Sequence, residues 1–380
     1  IPEPGWLLLV LAWMLSALVE NLAGFGVPIA VIAPMLILLG VIPVRAVAAA
    51  AIGHSWTVSL GGMALAFRTM TDITAMNESE VFPFAAVLLG VTVLLTGLGS
   101  AYVLKQLHYW KRILILSLVV ALTQYFIGIT GVIPLSSFSA AIVGIGGGLL
   151  LTRRPPGQKI RASTSPQLRG GLFSYGTLFG SIFIISIIKP LNRWLAGARV
   201  SSWFPQVVTN QGFTTAAGPG FVFKPFTHPG VWILFSALVA ALVLPRLTRS
   251  GTAHMKESLT ATWRSALPAS LGTLFMIGLS SLMEHSGMTQ LIAQGLSQAL
   301  SSYYPLVAPL VGTLGAFATG SNTNSNILFG QMQKGVAALL GISPLVLLAA
   351  QTTGGALGSM ISPAKLAVGG STNAMKGKQG

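Results

Sequence analysis

Apolar segments long enough to be buried follow one another along the whole chain, and two of them are interrupted by polar residues where oily ones are expected. Trp6 to Val19 is apolar, Glu20-Asn21-Leu22-Ala23-Gly24-Phe25-Gly26-Val27-Pro28 breaks it, and apolar character resumes from Ile29 to Ile42. Two arms of 14 residues would each reach about 21 Å, short of a hydrocarbon core of roughly 30 Å. The pattern therefore predicts a re-entrant hairpin over 6–42. Val44 to Phe67 is long enough to cross but holds Gly53-His54-Ser55 and Gly61-Gly62, which predicts a discontinuous helix over 44–67. Ordinary spans are predicted at Phe82 to Leu104, Ile113 to Thr130, Val132 to Leu151, Leu172 to Ile188, Val231 to Leu244 and Ala266 to Met283. The mixed stretch from Lys189 to His228 reads as an interfacial or partly re-entrant excursion, and Met288 to Leu300 as a surface amphipathic helix.

The second break is Gly320-Ser321-Asn322-Thr323-Asn324-Ser325-Asn326, set between Tyr303 to Thr319 and Ile327 to Leu340. Seven small polar residues have little helix propensity, so an open backbone is expected there. Inside a bilayer such a backbone must face protein, water or a ligand, which makes this stretch the first candidate for a binding site. The two breaks belong to similar surroundings. Each is followed by an apolar arm and a Leu-Gly-x-x-Pro turn, Leu39-Gly40-Val41-Ile42-Pro43 and Leu340-Gly341-Ile342-Ser343-Pro344. An alanine-rich helix interrupted by glycines comes next, Ala48 to Gly62 and Ala349 to Gly358. The predicted fold is an all-α polytopic membrane protein with a duplicated hairpin and broken helix. Its expected divisions are a first transport repeat (1–67), scaffold spans (68–264) and a second transport repeat (265–380, with hairpin 303–340 and broken helix 344–368).

Charge fixes the expected orientation. The 380 residues are 53% hydrophobic and 8% charged, with 22 Lys and Arg against 7 acids. The cations gather in short loops, at 105–112, 152–170 and 246–264, each pair separated by two spans, so all three can lie on the cytoplasmic side. Lys189, Arg193, Arg199 and Lys224 fall on the opposite side, where long loops obey the rule poorly. Lys365, Lys376 and Lys378 place the end of the last helix inside, so the two hairpins should enter from opposite faces, as inverted repeats. No nucleic-acid partner is implied, because the basic residues form no face with interleaved aromatics. With no cysteine, thiolate chemistry and cysteine metal sites are excluded. Residue 1 is Ile and no basic n-region precedes the first apolar run, so no signal peptide is expected.

Four motifs together carry a resemblance. Ala23 to Ala30, Gly53-His54-Ser55-Trp56, Gly320 to Asn326 with Leu328-Phe329-Gly330, and Met360-Ile361-Ser362-Pro363 resemble the motifs of the L-lactate permease family, over essentially the whole chain. The resemblance implies a secondary carrier taking up lactate or glycolate with protons across a bacterial or archaeal inner membrane. It implies no cofactor; the partners are a small carboxylate, protons or sodium, the lipid bilayer and, for a homo-oligomer, a second copy of the chain. Ser321-Asn322-Thr323 is similar to the hairpin signature of a wider ion-transporter group, and the first hairpin lacks it.

The chemistry of a 2-hydroxy monocarboxylate selects the candidates. Its carboxylate needs donors, which helix N-termini near Ile29, Ile327 and Gly355 could supply without a fixed cation. Ser321, Asn322, Thr323, Asn324, Ser325 and Asn326 could complete the shell, with Gly24, Gly26 and Gly355 admitting the ligand to the backbone; turn geometry and helix capping explain the same residues without a ligand. Glu20 lies at the C-terminal end of its arm, where dipole and low dielectric both disfavour the anion, and it is the first candidate proton carrier. His54, in the following break, is the second, against the plainer reading as a packing histidine. Sodium coupling through the Asn and Ser/Thr oxygens is the neighbouring alternative, and an anion channel or membrane-embedded enzyme the remote ones. An enzyme would be expected to carry paired acids or histidine clusters at helix spacing.

Overall fold

The computed structural model describes residues 3–24, 26–152, 166–201, 203–210, 212–219, 224–248 and 255–370. Phe25, most of the basic loop at 152–170, Gln211, Gly220 and the lysines at 376 and 378 lie outside them. Among the described residues, six helices are long and apolar enough to cross a membrane, or seven if one bent pair counts as a span. The chain is an all-α multi-pass membrane protein. It divides into two compact units, 1–155 with 280–380, and 156–279.

The first unit begins with α1 (Pro4–Val10), a π-turn (Leu11–Leu15) and α2 (Ser16–Ala23). These run on as one 20-residue apolar rod, which corrects the expected 14-residue arm. At about 1.5 Å per residue the rod is some 30 Å long, because Glu20 and Asn21 continue the helix instead of ending it. Asn21 does so by returning its Nδ2 to the Ala17 carbonyl at 2.9 Å. The turn falls at Gly24 (φ 63°) and Gly26 (φ 84°), a left-handed conformation that a Cβ would resist. The 12-residue α3 (Val27–Leu38) follows, and Gly40 then closes it with Val41 N–H donating to Leu36 O at 2.9 Å.

The predicted discontinuity is present. α4 (Pro43–His54) passes through a 3-10 turn (Ser55–Thr57) into α5 (Gly61–Ile73), whose start is left-handed at Gly62, Met63 and Ala64. Three long helices come next. α6 (Glu78–Val103) is capped by the Asn77 side chain on Ser79 N–H at 3.1 Å, with Glu78 and Glu80 in its first turn, where they complement the helix dipole. α7 (Trp110–Ile129) and α8 (Ile133–Leu150) complete the layer. Glycines let α8 approach the first rod: a Cβ at Gly144 would meet Met14 and one at Gly148 would meet Val10 at 2.8 Å. Trp6, Trp13 and Trp56 are buried in one core with residues of α3, α4, α6, α7 and α8. A second core joins Phe67, Phe82 and Leu89 to Leu348, Ala349 and Ala356.

The C-terminal part of this unit holds α13 (Met288–Leu300), α14 (Tyr304–Thr319), α15 (Asn322–Leu340), α16 (Pro344–Met360) and α17 (Pro363–Gly370). Two expectations are corrected here. The polar run is mostly helical: Gly320 turns the chain at φ 73°, and Ser321 Oγ accepts from Asn324 N–H at 3.3 Å. Small polar residues are poor inside a helix but well suited to its first turn, so α15 starts at Asn322. The glycines of 354–358 do not break α16. A Cβ at Gly354 would strike the Pro309 carbonyl and one at Gly358 the Thr313 carbonyl, while one at Gly312 of α14 would strike Gln351 O. These glycines serve close helix approach, and the break comes later, at Ile361-Ser362 before Pro363.

The second unit contains α9 (Pro166–Ile187), α10 (Lys189–Ala196), α11 (Pro229–Thr248) and α12 (Met255–His285) up to Leu279. α9 packs on α11, with Ser236 Oγ donating to Ser174 O at 2.8 Å. The mixed stretch forms α10 and two short antiparallel pairings, β1 (Trp203–Phe204) with β4 (Gly218–Pro219) and β2 (Val207–Val208) with β3 (Thr214–Thr215).

Candidate functional site

The second tip is a buried network of neutral side chains. Asn322 Nδ2 donates to Ser59 Oγ at 2.9 Å and to Thr352 O at 3.2 Å. Asn326 Nδ2 donates to Ala66 O and Thr352 Oγ1, both at 3.0 Å. Ser59 Oγ in turn donates to Thr352 O at 2.8 Å. Ser59 and Ala66 belong to the α4–α5 region, so the tip of the second hairpin is seated in the helix break of the N-terminal part. Ser325 Oγ donates to Gly312 O at 2.9 Å, and a chain of amides continues from it through Gln351 and Gln333 to Tyr304. Asn322 and Asn326 spend their side-chain N–H groups on these bonds, while among the described residues Asn322 Oδ1, Asn324 Oδ1 and Asn326 Oδ1 are buried without a partner. The tip therefore presents free acceptors in place of the donors expected for an anion.

The predicted set is brought together unevenly. Ser321 to Asn326 form the cap and first turn of α15, with Thr323 half-buried. The N-terminus near the site is that of Asn322 and not Ile327, and in the first hairpin it is Val27 and not Ile29. Gly355 is no helix N-terminus at all, because it lies within α16. It does lie against the asparagine network: a Cβ there would overlap Asn322 Oδ1, so its missing side chain makes room for that amide. Gly24 and Gly26 shape the first turn.

Glu20 and His54 meet. Glu20 is 5% exposed and His54 fully buried, with His54 Nε2 4.0 Å from Glu20 Oε2. His54 Nδ1 lies 2.8 Å from Ala50 O, and because a carbonyl only accepts, Nδ1 carries the proton. In the neutral ring Nε2 is then an acceptor facing the carboxyl. Neither Nε2 nor Glu20 Oε2 has another partner. Gly61 leaves space beside this pair, with Glu20 Cγ at 3.6 Å from a Cβ placed there. Neighbouring Asn21 Oδ1 accepts from Ser137 Oγ at 2.6 Å.

Lys365 is buried, although its place near a helix end in the sequence does not suggest it. Lys365 follows the α16–α17 break and, from the sequence, marks a cytoplasmic helix end. In the structure it is 7% exposed, and its Nζ donates to Ser359 Oγ at 3.2 Å. It lies within electrostatic reach of Glu20 and His54, with no bond to either. Among the described residues no other lysine or arginine is buried. A lysine two residues beyond a Ser-Pro break was the available signal.

Comparison with known proteins agrees with the four motifs. The L-lactate permease family matches residues 2–164 and 186–380. The L-lactate permease of Escherichia coli is 27% identical over 432 aligned positions, covering 100% of this chain and 74% of the relative. That of Streptococcus iniae is 25% identical, covering 89% and 71%. The glycolate permease of Escherichia coli is 26% identical, covering 98% and 73%. No solved structure matches. With residues 2–164 and 186–380 matched by its model, the chain belongs to the L-lactate permease family.

Proposed function

We propose that the chain is a secondary active transporter that takes up L-lactate or a related 2-hydroxy monocarboxylate with protons across the inner membrane. The observation that carries the reading is the buried asparagine network of the second hairpin tip, with acceptors left open, in a chain whose relatives are named for L-lactate and glycolate. Polar groups inside an apolar protein are costly and persist where they serve a site. The open Asn322, Asn324 and Asn326 oxygens suit a 2-hydroxyl group, which donates. Glu20, with His54 offering an acceptor to its protonated form, carries the coupled proton. In this reading 6–42 and 303–340 are re-entrant hairpins of inverted repeats that meet near the midplane and move against the remaining helices.

Reconstituted protein should accumulate labelled L-lactate under an inward proton gradient, and failure to accumulate it removes the reading. Sodium coupling is a second reading, favoured by one observation: Asn322 and Asn326 converge on Thr352 with both amide oxygens unpartnered, a neutral oxygen set suited to a hard cation. Replacing sodium by choline at fixed pH separates the two, since only sodium-coupled uptake stops.

A further inference from the structure

The ammonium of Lys365 has three N–H donors, and among the described residues it has one acceptor, Ser359 Oγ. An unfilled cation in so buried a place is expensive unless something occupies the remaining donors. Around it stand the parts of both hairpins. Ala364, its neighbour on α17, lies 3.2 Å from where a Cβ on Gly320 would be, at the second tip. α17 packs on α3, the second arm of the first hairpin, and the Glu20 carboxylate, at the first tip, lies within electrostatic reach of Lys365 without forming an ion pair with it.

The charged groups here can be enumerated. The elements packed most closely against α17 are α3 and α16, neither of which carries a titratable side chain. The elements against α2 are the π-turn, α3, α4, the 3-10 turn, α5 and α8. Of these only α4 and α5 carry titratable groups: His54 facing Glu20, Arg45 in the first turn of α4, and Arg68 and Asp72 well along α5. Arg68 is held by Glu78 at 3.3 Å. Among the described residues, Glu20, His54 and Lys365 are therefore the titratable groups that these elements bring toward one another.

We propose that Lys365 is the anion receptor of the site, taking the substrate carboxylate on its unfilled donors, while Glu20, the carboxylate that balances its charge in the empty site, takes up a proton from water. The inference rests on the function proposed above and names the group that would hold the carboxylate. Empty, the site has an ammonium and a carboxylate and is neutral. Loaded, it has an ammonium, a substrate carboxylate, a protonated Glu20 and a neutral His54, and is neutral again. Substrate without a proton leaves a net negative charge, and a proton without substrate a net positive one. Moving either half-loaded site through a low-dielectric interior is disfavoured, so substrate and proton cross together. By linkage, bound carboxylate favours protonation of Glu20, and protonation of Glu20 favours carboxylate binding to the same degree.

The test uses purified full chain, L-lactate as probe, and calorimetry in buffers of different ionisation enthalpy to count protons taken up. Wild type should bind lactate with uptake of about one proton. Lys365→Gln should weaken binding roughly 10- to 100-fold and abolish the uptake, and Lys365→Arg should restore part of the affinity. Glu20→Gln should retain binding, with affinity independent of pH and no uptake. Should Lys365→Gln not fold, Glu20→Gln/Lys365→Gln leaves no orphan charge and should fold without binding lactate. Binding within about twofold of wild type by either Lys365→Gln or the double variant overturns the assignment, as does loss of binding in Glu20→Gln. A wild type that binds no lactate removes the proposed function itself, which is a different outcome from wild-type binding unaffected by Lys365.

Discussion

Asn322 and Asn324 stand two residues apart, yet the structure gives them different work. Asn322 ties α15 to Ser59 and Thr352, so Asn322→Ala should cost about 1–3 kcal/mol of stability as well as substrate binding. Asn324 contributes a backbone N–H to the cap and holds its Oδ1 open. Asn324→Ala should therefore change stability by only about 0.5 kcal/mol while reducing the shift in melting temperature that lactate produces. Equal losses of stability in the two variants would refute this division. At this scale much of the candidate site was legible: Glu20, His54 and the asparagine run announce themselves as polar residues in apolar surroundings. Lys365 did not, because a lone lysine near a helix end usually snorkels to the interface. Its burial depends on α3, which is more than three hundred residues away in sequence, and no local pattern encodes that contact.

At the scale of elements, turns were read more accurately than arms. The Leu-Gly-x-x-Pro signals end helices where expected, at Gly40 and Gly341, because glycine takes the left-handed conformation at little cost. Glycines inside α16 misled, since the same residue that permits a break also permits contact. Gly354→Ala should destabilise the protein by about 1–3 kcal/mol through the clash with the Pro309 carbonyl, measurable as a lowered melting temperature. The end of α5 shows the two halves supporting each other. Lys334 Nζ donates to Thr74 O at 2.6 Å, and Gln331 Nε2 to Ile73 O at 2.7 Å. These are carbonyls that a helix leaves unsatisfied at its C-terminus. Lys334→Met should cost about 1 kcal/mol and speed hydrogen exchange over residues 70–76, with other helices unaffected.

At the scale of the molecule, the family and the all-α membrane architecture were legible from motifs and hydropathy, and the partition into helices followed closely. What holds the N-terminal rod in place was not. Arg112 pairs both nitrogens with Glu3, at 2.7 and 3.0 Å, while its guanidinium lies 5.6 Å from the Trp6 ring centre and 5.1 Å from that of Tyr109. The pairing joins residues 109 positions apart, so no local pattern reports it. Arg112→Ala should lower thermal stability by about 1 kcal/mol, an effect Arg112→Lys recovers only in part because a lysine lacks the planar fork.

The glycine seam between α14 and α16 has a mechanical consequence. Side chains normally form a layer over which packed helices slide by small amounts, and at Gly312, Gly354 and Gly358 that layer is absent, with backbone resting on backbone. The two helices should then behave as one stiff beam during any working cycle. Because the chain has no cysteine, spin labels can be placed on cysteines at Leu306 and Val346 without background. Their separation should stay constant whether or not acid and lactate are added, and a changed separation would mean that the beam shears.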